Sequence, residues 1–329
     1  MAPGACRSPL PQGRLASQTP RVRRRSTVVL AALAVGTFGL VAARSRRARH
    51  DRVERDTEPV RIADGVFCLG PWGRTQTNVH VVRAGTAWFV VDAGWAGDAG
   101  RIEETVRRLV GPEAAPRAIL LTHVHPDHAG AARTLAEAWD CPILAHPAEI
   151  PIARGDFAAM HEVAGPLDRR IILPAMRAVG ERRRARILAR GSLAGLVEEL
   201  APGGRIPGVD GWTWVPTPGH TPGHVSFVRA ADRVVLTGDA LVTLQVNAPA
   251  GILRGRQGLS GPPWYTTWDG RAAAASIRTI ADLAPTVVGG GHGRPLIGPA
   301  TAAAVRAFAS ELGVPVRVGA RAASGGHRG

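Results

Sequence analysis

From Pro59 onward the apolar positions fall into short runs of β character: VRIA at 60–63, VFCL at 66–69, NVHVV at 78–82 and AWFVVD at 87–92. Asp64-Gly65, Gly70-Pro71 with Gly73, and Ala84-Gly85 separate them, so the pattern predicts a meander of antiparallel strands. Asp98 then opens a helical period through Val110, with Ile102, Val106 and Leu109 on one face. AILLT at 118–122 is continuously apolar, the form of a strand buried on both faces, and it runs into the helical pattern DHAGAARTLAEAW. Between about 147 and 210 arginine-laced helical segments carry Ile171, Ile172, Ile187, Leu188, Leu193, Leu196, Val197 and Leu200, which predicts a helical insertion or cap. Strand patterns return at WTWVP (212–216), HVSFV (224–228) and RVVLT (233–237). A helix near 270–283, the run TVVG at 286–289 and a last helix at about 300–312 complete the domain, expected over 59–316.

The N-terminal pattern is different. Ser26–Ala43 holds no charged residue and follows Arg-Val-Arg-Arg-Arg. Eighteen residues at about 1.5 Å rise span roughly 27 Å, enough for a transmembrane anchor over 27–43. A signal segment has the same layout, but Arg44, Arg46, Arg47 and Arg49 follow at once, which favours an uncleaved single-pass anchor over export after cleavage. Arginines on both sides leave its orientation open, and Arg24-Arg25 also matches a twin-arginine signal at low specificity. Residues 1–26 are expected to be a disordered basic stretch, 44–58 a charged linker and 317–329 a disordered tail.

Composition sharpens this division. The chain carries a formal charge of +15, yet residues 1–56 hold 12 arginines against three acids, and the remaining 273 residues hold 29 against 23. The balance is therefore +9 on the appendage and only +6 on the domain, which argues against a nucleic-acid partner. Cys6, Cys68 and Cys141 follow no paired spacing, so neither a disulfide framework nor a thiolate zinc site is indicated.

The chemistry concentrates in Thr122-His123-Val124-His125-Pro126-Asp127-His128, four metal-ligand types within six residues where a buried strand opens into a helix. Such a loop can turn His123 and His125 toward one metal and Asp127 and His128 toward another. Three further candidates each follow a β-like run and sit beside glycines: His220 in TPGHTPGH, Asp239 in LTGDAL and His292 in GGGHG. His224 competes with His220 for one role; the P-G-H-T match favours His220. Asp92, His80, His146 and His161 read as structural or incidental. The run Arg182, Arg183, Arg184, Arg186 and Arg190 reads first as a solvated helical face, with phosphate or an anionic lipid surface as the alternative. Trp264, Tyr265 and Trp268 divide evenly between lining a substrate pocket and ordinary packing.

The order H-x-H-x-D-H, P-G-H-T-x-G-H, G-D, G-H-G resembles the metallo-β-lactamase superfamily over roughly residues 60–300, with VDAG at 91–94 resembling that family's early motif. The resemblance implies an α/β fold, a four-layer αββα sandwich carrying the site at one sheet edge. It implies that His123, His125 and His220 hold one metal, that Asp127, His128 and His292 hold a second, and that Asp239 bridges them. The cofactors implied are two divalent ions, Zn2+ first and Fe or Mn as alternatives, activating a shared water, with Asp127 orienting it or accepting its proton. A small-molecule ester, thioester or lactone is the expected substrate class. The ligand set is glyoxalase-II-like, but the basic and tyrosine residues that serve glutathione have no counterpart after Asp239. Zinc β-lactamases generally lack a His at the position of His128 and carry Cys at that of Asp239, which disfavours that activity. Val242 and Thr243 stand where quorum-quenching lactonases place a tyrosine. A persulfide-dioxygenase-like single-iron oxidoreductase using His123, the His125 region and Asp239 is the second reading, and a phosphodiesterase the third.

Overall fold

The computed structural model of the protein describes residues 58–312 apart from Glu113 and Pro249. The apolar run at Ala118–Leu120 lies between two oily layers. Ile119 faces one with Val81, Val90, Ile102 and Leu135, while Ala118 and Leu120 face another with Phe89, Trp212, Phe227 and Leu236. Burial on both faces explains why no polar residue interrupts it.

This run is the fifth strand of a seven-stranded sheet whose spatial order follows the chain: β1 (Val60–Ala63), β2 (Val66–Trp72), β3 (Thr77–Ala84), β4 (Ala87–Val91), β5 (Ala118–Leu120), β6 (Ile143–Ala145) and β7 (Val197–Glu199). The first four pair antiparallel, and β4 through β7 run parallel. A second sheet combines β8 (Trp212–Pro216), β9 (Val225–Arg229), β10 (Val234–Gly238), β13 (Val287–Gly290) and β14 (Leu296–Ile297) in the order β14-β13-β10-β9-β8, and β11 (Val242–Leu244) with β12 (Gln257–Ser260) forms a small hairpin sheet beside it. The two large sheets pack face to face through Phe89, Val91, Leu120, Trp214, Phe227 and Leu236.

Helices α1 (Ala99–Val110) and α2 (Ala132–Trp139) cover the outer face of the first sheet. Ile102 and Val106, four apart, enter that core together, as the sequence period predicts. Helices α3 (Phe157–Glu162), α4 (Leu173–Ala178) and α5 (Glu181–Gly191) make up the insertion, with a π-helical stretch at Asp168–Ile172. Helices α6 (Gly270–Asp282) and α7 (Thr301–Glu311) cover the second sheet. The Asp269 carboxylate caps α6, accepting from Arg271 N at 2.8 Å and Ala272 N at 3.1 Å. The result is an α/β sandwich in four layers: helix, sheet, sheet, helix.

Two expectations need correction. The insertion does not stay helical to residue 210: its helices end at Gly191, and Val197–Glu199 returns as edge strand β7 beside β6. Val197 is buried and both glutamates are exposed, a three-residue strand with no alternation to set against the helical period around it. Strand β2 continues through Gly70-Pro71 to Trp72 instead of stopping at Leu69. Strand β6 and the β11–β12 hairpin carry no sequence expectation at all. The expected segments at 1–26, 27–43 and 317–329, and the linker up to residue 57, lie outside the described residues. Among the described residues no helix is long and apolar enough to cross a membrane.

Candidate metal centre

Strands β4 and β5 are parallel, as are β10 and β13, so within each sheet their carboxyl ends open on one edge. Asp92 follows β4, Thr122-His123 follows β5, Asp239 follows β10 and His292 follows β13; His220 comes from the turn after β8. Loops at that edge can be held rigidly because each hangs from a buried strand.

The seven residues expected as ligands converge. Atoms of His123, His125 and His220 form one cluster, those of His123, His128 and Asp239 a second, and those of Asp127, His128 and His292 a third, with ligand atoms within 4.8 Å of one another in each. His125 Nδ1 lies 2.8 Å from His220 Nε2. Asp239 faces both halves: Oδ1 lies 3.3 Å from His128 Nε2 and 3.3 Å from His292 Nε2, while Oδ2 lies 3.4 Å from His220 Nε2. Asp127 Oδ2 stands 3.4 Å from His292 Nε2.

The donor set fits metal binding. His123 Nε2, His128 Nε2 and Asp239 Oδ1 are buried and lack a hydrogen-bond partner, a costly arrangement for three polar atoms aimed at one point unless a cation satisfies them. Most of the ring nitrogens pointing away are already engaged. His128 Nδ1 donates to Asp92 Oδ2 at 2.8 Å, His292 Nδ1 donates to Thr75 O at 2.8 Å, and His123 Nδ1 lies 3.1 Å from Thr122 Oγ1. Such outer contacts fix the tautomer that leaves Nε2 free to ligate.

The metallo-beta-lactamase superfamily profile matches residues 72–292. The chain belongs to that superfamily. A probable metallo-hydrolase of Bacillus subtilis, YflN, is 35% identical over 212 residues, covering 64% of this chain and 77% of the relative. A second probable metallo-hydrolase of that organism, YybB, is 26% identical over 68% of this chain and 84% of its own length. A metallo-beta-lactamase family protein of Thermus thermophilus, TTHA1429, superposes with a TM-score of 0.52 at 23% identity over 77% of this chain and 79% of that one, a likeness of fold.

The electrostatics of this superfamily site divide its histidines. Burial pushes His123 and His220 well below the ordinary imidazole value, helped by their histidine neighbours. Burial acts the same way on His128, but the carboxylates of Asp239, Asp92 and Asp127 outweigh it and hold that ring well above its usual value; His292 is raised for the same reason by Asp239 and Asp127. Burial works to raise the Asp239 carboxyl, yet His292 and His128 keep it well below the carboxylate range. His224 turns away from the cluster: its Nε2 accepts from Asp239 N at 3.1 Å and its Nδ1 lies 2.9 Å from Thr217 Oγ1.

Asp92 sits behind the ligands rather than among them, accepting from Thr122 N at 2.8 Å as well as from His128. His80 is buried in β3 and His161 is exposed, neither within a ligand cluster, and His146 caps a helical turn while packing edge-on against Trp214. The arginines at 182–190 make no ion pair among the described residues. Tyr265 is half-buried, and burial together with the charges of Asp239 and Asp127 raises its phenol. Trp264 and Trp268 are exposed beside it.

Sequence reasoning missed several supports. Thr267 Oγ1 lies 3.4 Å from His220 Nδ1, and Thr75 offers its carbonyl to His292. Asp168, on the insertion, is raised by burial and opposed by the nearby charge of His125. None has a motif: they work through a backbone carbonyl, a single hydroxyl or a lone carboxylate, which any sequence contains in excess.

Proposed function

We propose that the protein is a metal-dependent hydrolase with a dinuclear site, acting on an ester, thioester or lactone. The observation that carries this reading is Asp239, whose two carboxylate oxygens face opposite halves of the cluster. In it His123, His125 and His220 hold the first cation, Asp127, His128 and His292 the second, and Asp239 both. Bound there, a pair of divalent cations supplies Lewis acidity, lowering the pKa of water and polarising a carbonyl oxygen. The chain supplies the rest. Asp127, partly open to solvent at 18% side-chain exposure where Asp239 is at 4%, is the carboxylate able to accept a proton from an incoming water. Tyr265 and the flanking Trp264 and Trp268 offer an aromatic wall for the acyl or alcohol group.

The test is metal quantification on the purified chain with hydrolysis assayed across ester, thioester, lactone and phosphodiester panels, repeated for Asp127→Ala. Two ions per chain and a loss of at least about a hundredfold in kcat, as expected for a general base, support the reading. One iron per chain with oxygen consumption on a thiol persulfide would replace it by the oxidoreductase alternative. Zinc is the expected native ion. We further propose that the uncharged run at 26–43 tethers the enzyme to a membrane; resistance to alkaline carbonate extraction checks this, and release into the supernatant refutes it.

A further inference from the structure

Glu149 is an acid with no exposed surface and no cationic partner among the described residues, and the mechanism above leaves it unused. It ends the helical turn Pro147–Glu149 that follows β6. Its Oε2 accepts from Val124 N at 3.1 Å, and its Oε1 accepts from Gly223 N at 3.0 Å. Val124 stands between His123 and His125, and Gly223 stands between His220 and His224. A single carboxylate therefore ties together the two loops that carry His123, His125 and His220, which are otherwise 95 positions apart at the His125–His220 contact. Gly223 permits the approach, because a Cβ there would lie 2.8 Å from Glu149 Cγ and Oε1. Only an ionised carboxylate accepts at both oxygens with no donor to misplace, and charge-assisted bonds of this kind are about twice as strong as neutral ones.

We propose that Glu149 is a positioning residue that sets the geometry, and hence the metal affinity, of the His123/His125/His220 triad while leaving the Asp127/His128/His292 triad untouched. This inference rests on the ligand assignment given under the proposed function. Glu149→Gln replaces one acceptor by an NH2 group facing a backbone N–H. Glu149→Asp keeps the charge but is one methylene too short to reach both loops.

The experiment is competitive titration of Co2+ against a chromophoric chelator on the full chain, wild type and both variants, with the visible spectrum of the bound ion recorded at each step. Wild type is expected to bind two ions. Both variants are expected to bind one ion as wild type does and the other about 10- to 100-fold more weakly, the range for lost support of a metal ligand, with a changed spectrum for the weakened site. Failure of Asp to rescue shows that reach rather than charge matters. Equal weakening of both ions, or no weakening of either, overturns the proposal. A wild type that binds fewer than two ions refutes the ligand assignment instead. Should neither variant fold, amide exchange on the wild type decides: Val124 and Gly223 are expected to gain protection together as the first ion binds, and independent behaviour overturns the link.

Discussion

His128 joins two carboxylates, donating from Nδ1 to Asp92 and presenting Nε2 to Asp239. Asp92 also accepts from the Thr122 amide and adopts a left-handed backbone at φ 62°, so one residue aims the ring and pins the start of the ligand loop. Asp92→Asn is expected to weaken metal binding at the His128 site by about 10- to 100-fold, read by competitive chelator titration; affinity equal to wild type would show that loop packing alone aims the ring. The buried histidines outside the ligand set make a separate statement about pH. Burial lowers His80 to about 4 and His224 to about 3. In the unfolded chain both take a proton near 6.5, so between these values the folded state binds fewer protons and stability falls as pH falls. His128 and His292 are shifted upward, so their contribution is complete below about 6.5 and is lost as pH rises through their raised values. His80 Nε2 has no hydrogen-bond partner, so His80→Leu removes a burdened group. Urea unfolding of the metal-stripped protein between pH 6.5 and 4 is expected to show a shallower loss of stability in the variant, and parallel curves would assign the acid loss elsewhere.

At the level of elements, the insertion touches the site through one corner. Leu167 N donates to Tyr265 O at 2.7 Å, and Gly165 lies so near the neighbouring loop that a Cβ would sit 2.5 Å from the Thr266 carbonyl carbon. That loop in turn grips His220, by Trp268 N to His220 O at 3.1 Å and by the Thr267 hydroxyl. Gly165→Ala therefore pushes backbone against backbone at a joint between insertion and substrate wall. Overpacking of this kind costs about 1–3 kcal/mol, and because no residue of 155–191 belongs to the main cores, the domain is expected to fold and KM to rise roughly tenfold or more with metal content unchanged. An unchanged KM would detach the insertion from substrate binding. The joint was not legible in the sequence, and the reason is physical. Long strands with turn residues on both sides, such as β3, β9 and β10, announce themselves, and the ligand residues do so because their side-chain chemistry is rare and ordered. Strands β7, β11 and β12 are three or four residues long, and the partners of Gly165 and Glu149 are main-chain atoms tens to a hundred positions away, while Thr267 meets the His220 ring 47 positions away.

Across the whole domain, the site edge is where the two large sheets are stitched together. Val225 N, from the second sheet, donates to Thr122 O at 3.0 Å; Asn78 N, from the first, donates to Gly291 O at 2.8 Å, and its side chain donates to Gly290 O and Gly293 O. The proposed ligands divide the same way, His123, His125, Asp127 and His128 on the first-sheet side and His220, Asp239 and His292 on the second. Each cation would therefore cross-link the two halves of the sandwich, and its binding energy becomes folding energy because the unfolded chain offers no such cluster. At a free concentration a hundred times the dissociation constant one bound ion contributes about 2.7 kcal/mol. In a domain of this size class each kcal/mol moves Tm by about 2–4 °C, so stripping one ion lowers it by roughly 5–10 °C. Scanning calorimetry with and without chelator, followed by stoichiometric re-addition, is expected to show that fall and its reversal. Asp239→Asn tests the cross-link itself, since the amide keeps the shape but loses the charge that faces both halves. Its Tm is expected to respond far less to chelator than that of wild type. A variant that responds fully would mean that the ions bind within one half and leave the junction to Thr122, Asn78 and their backbone partners.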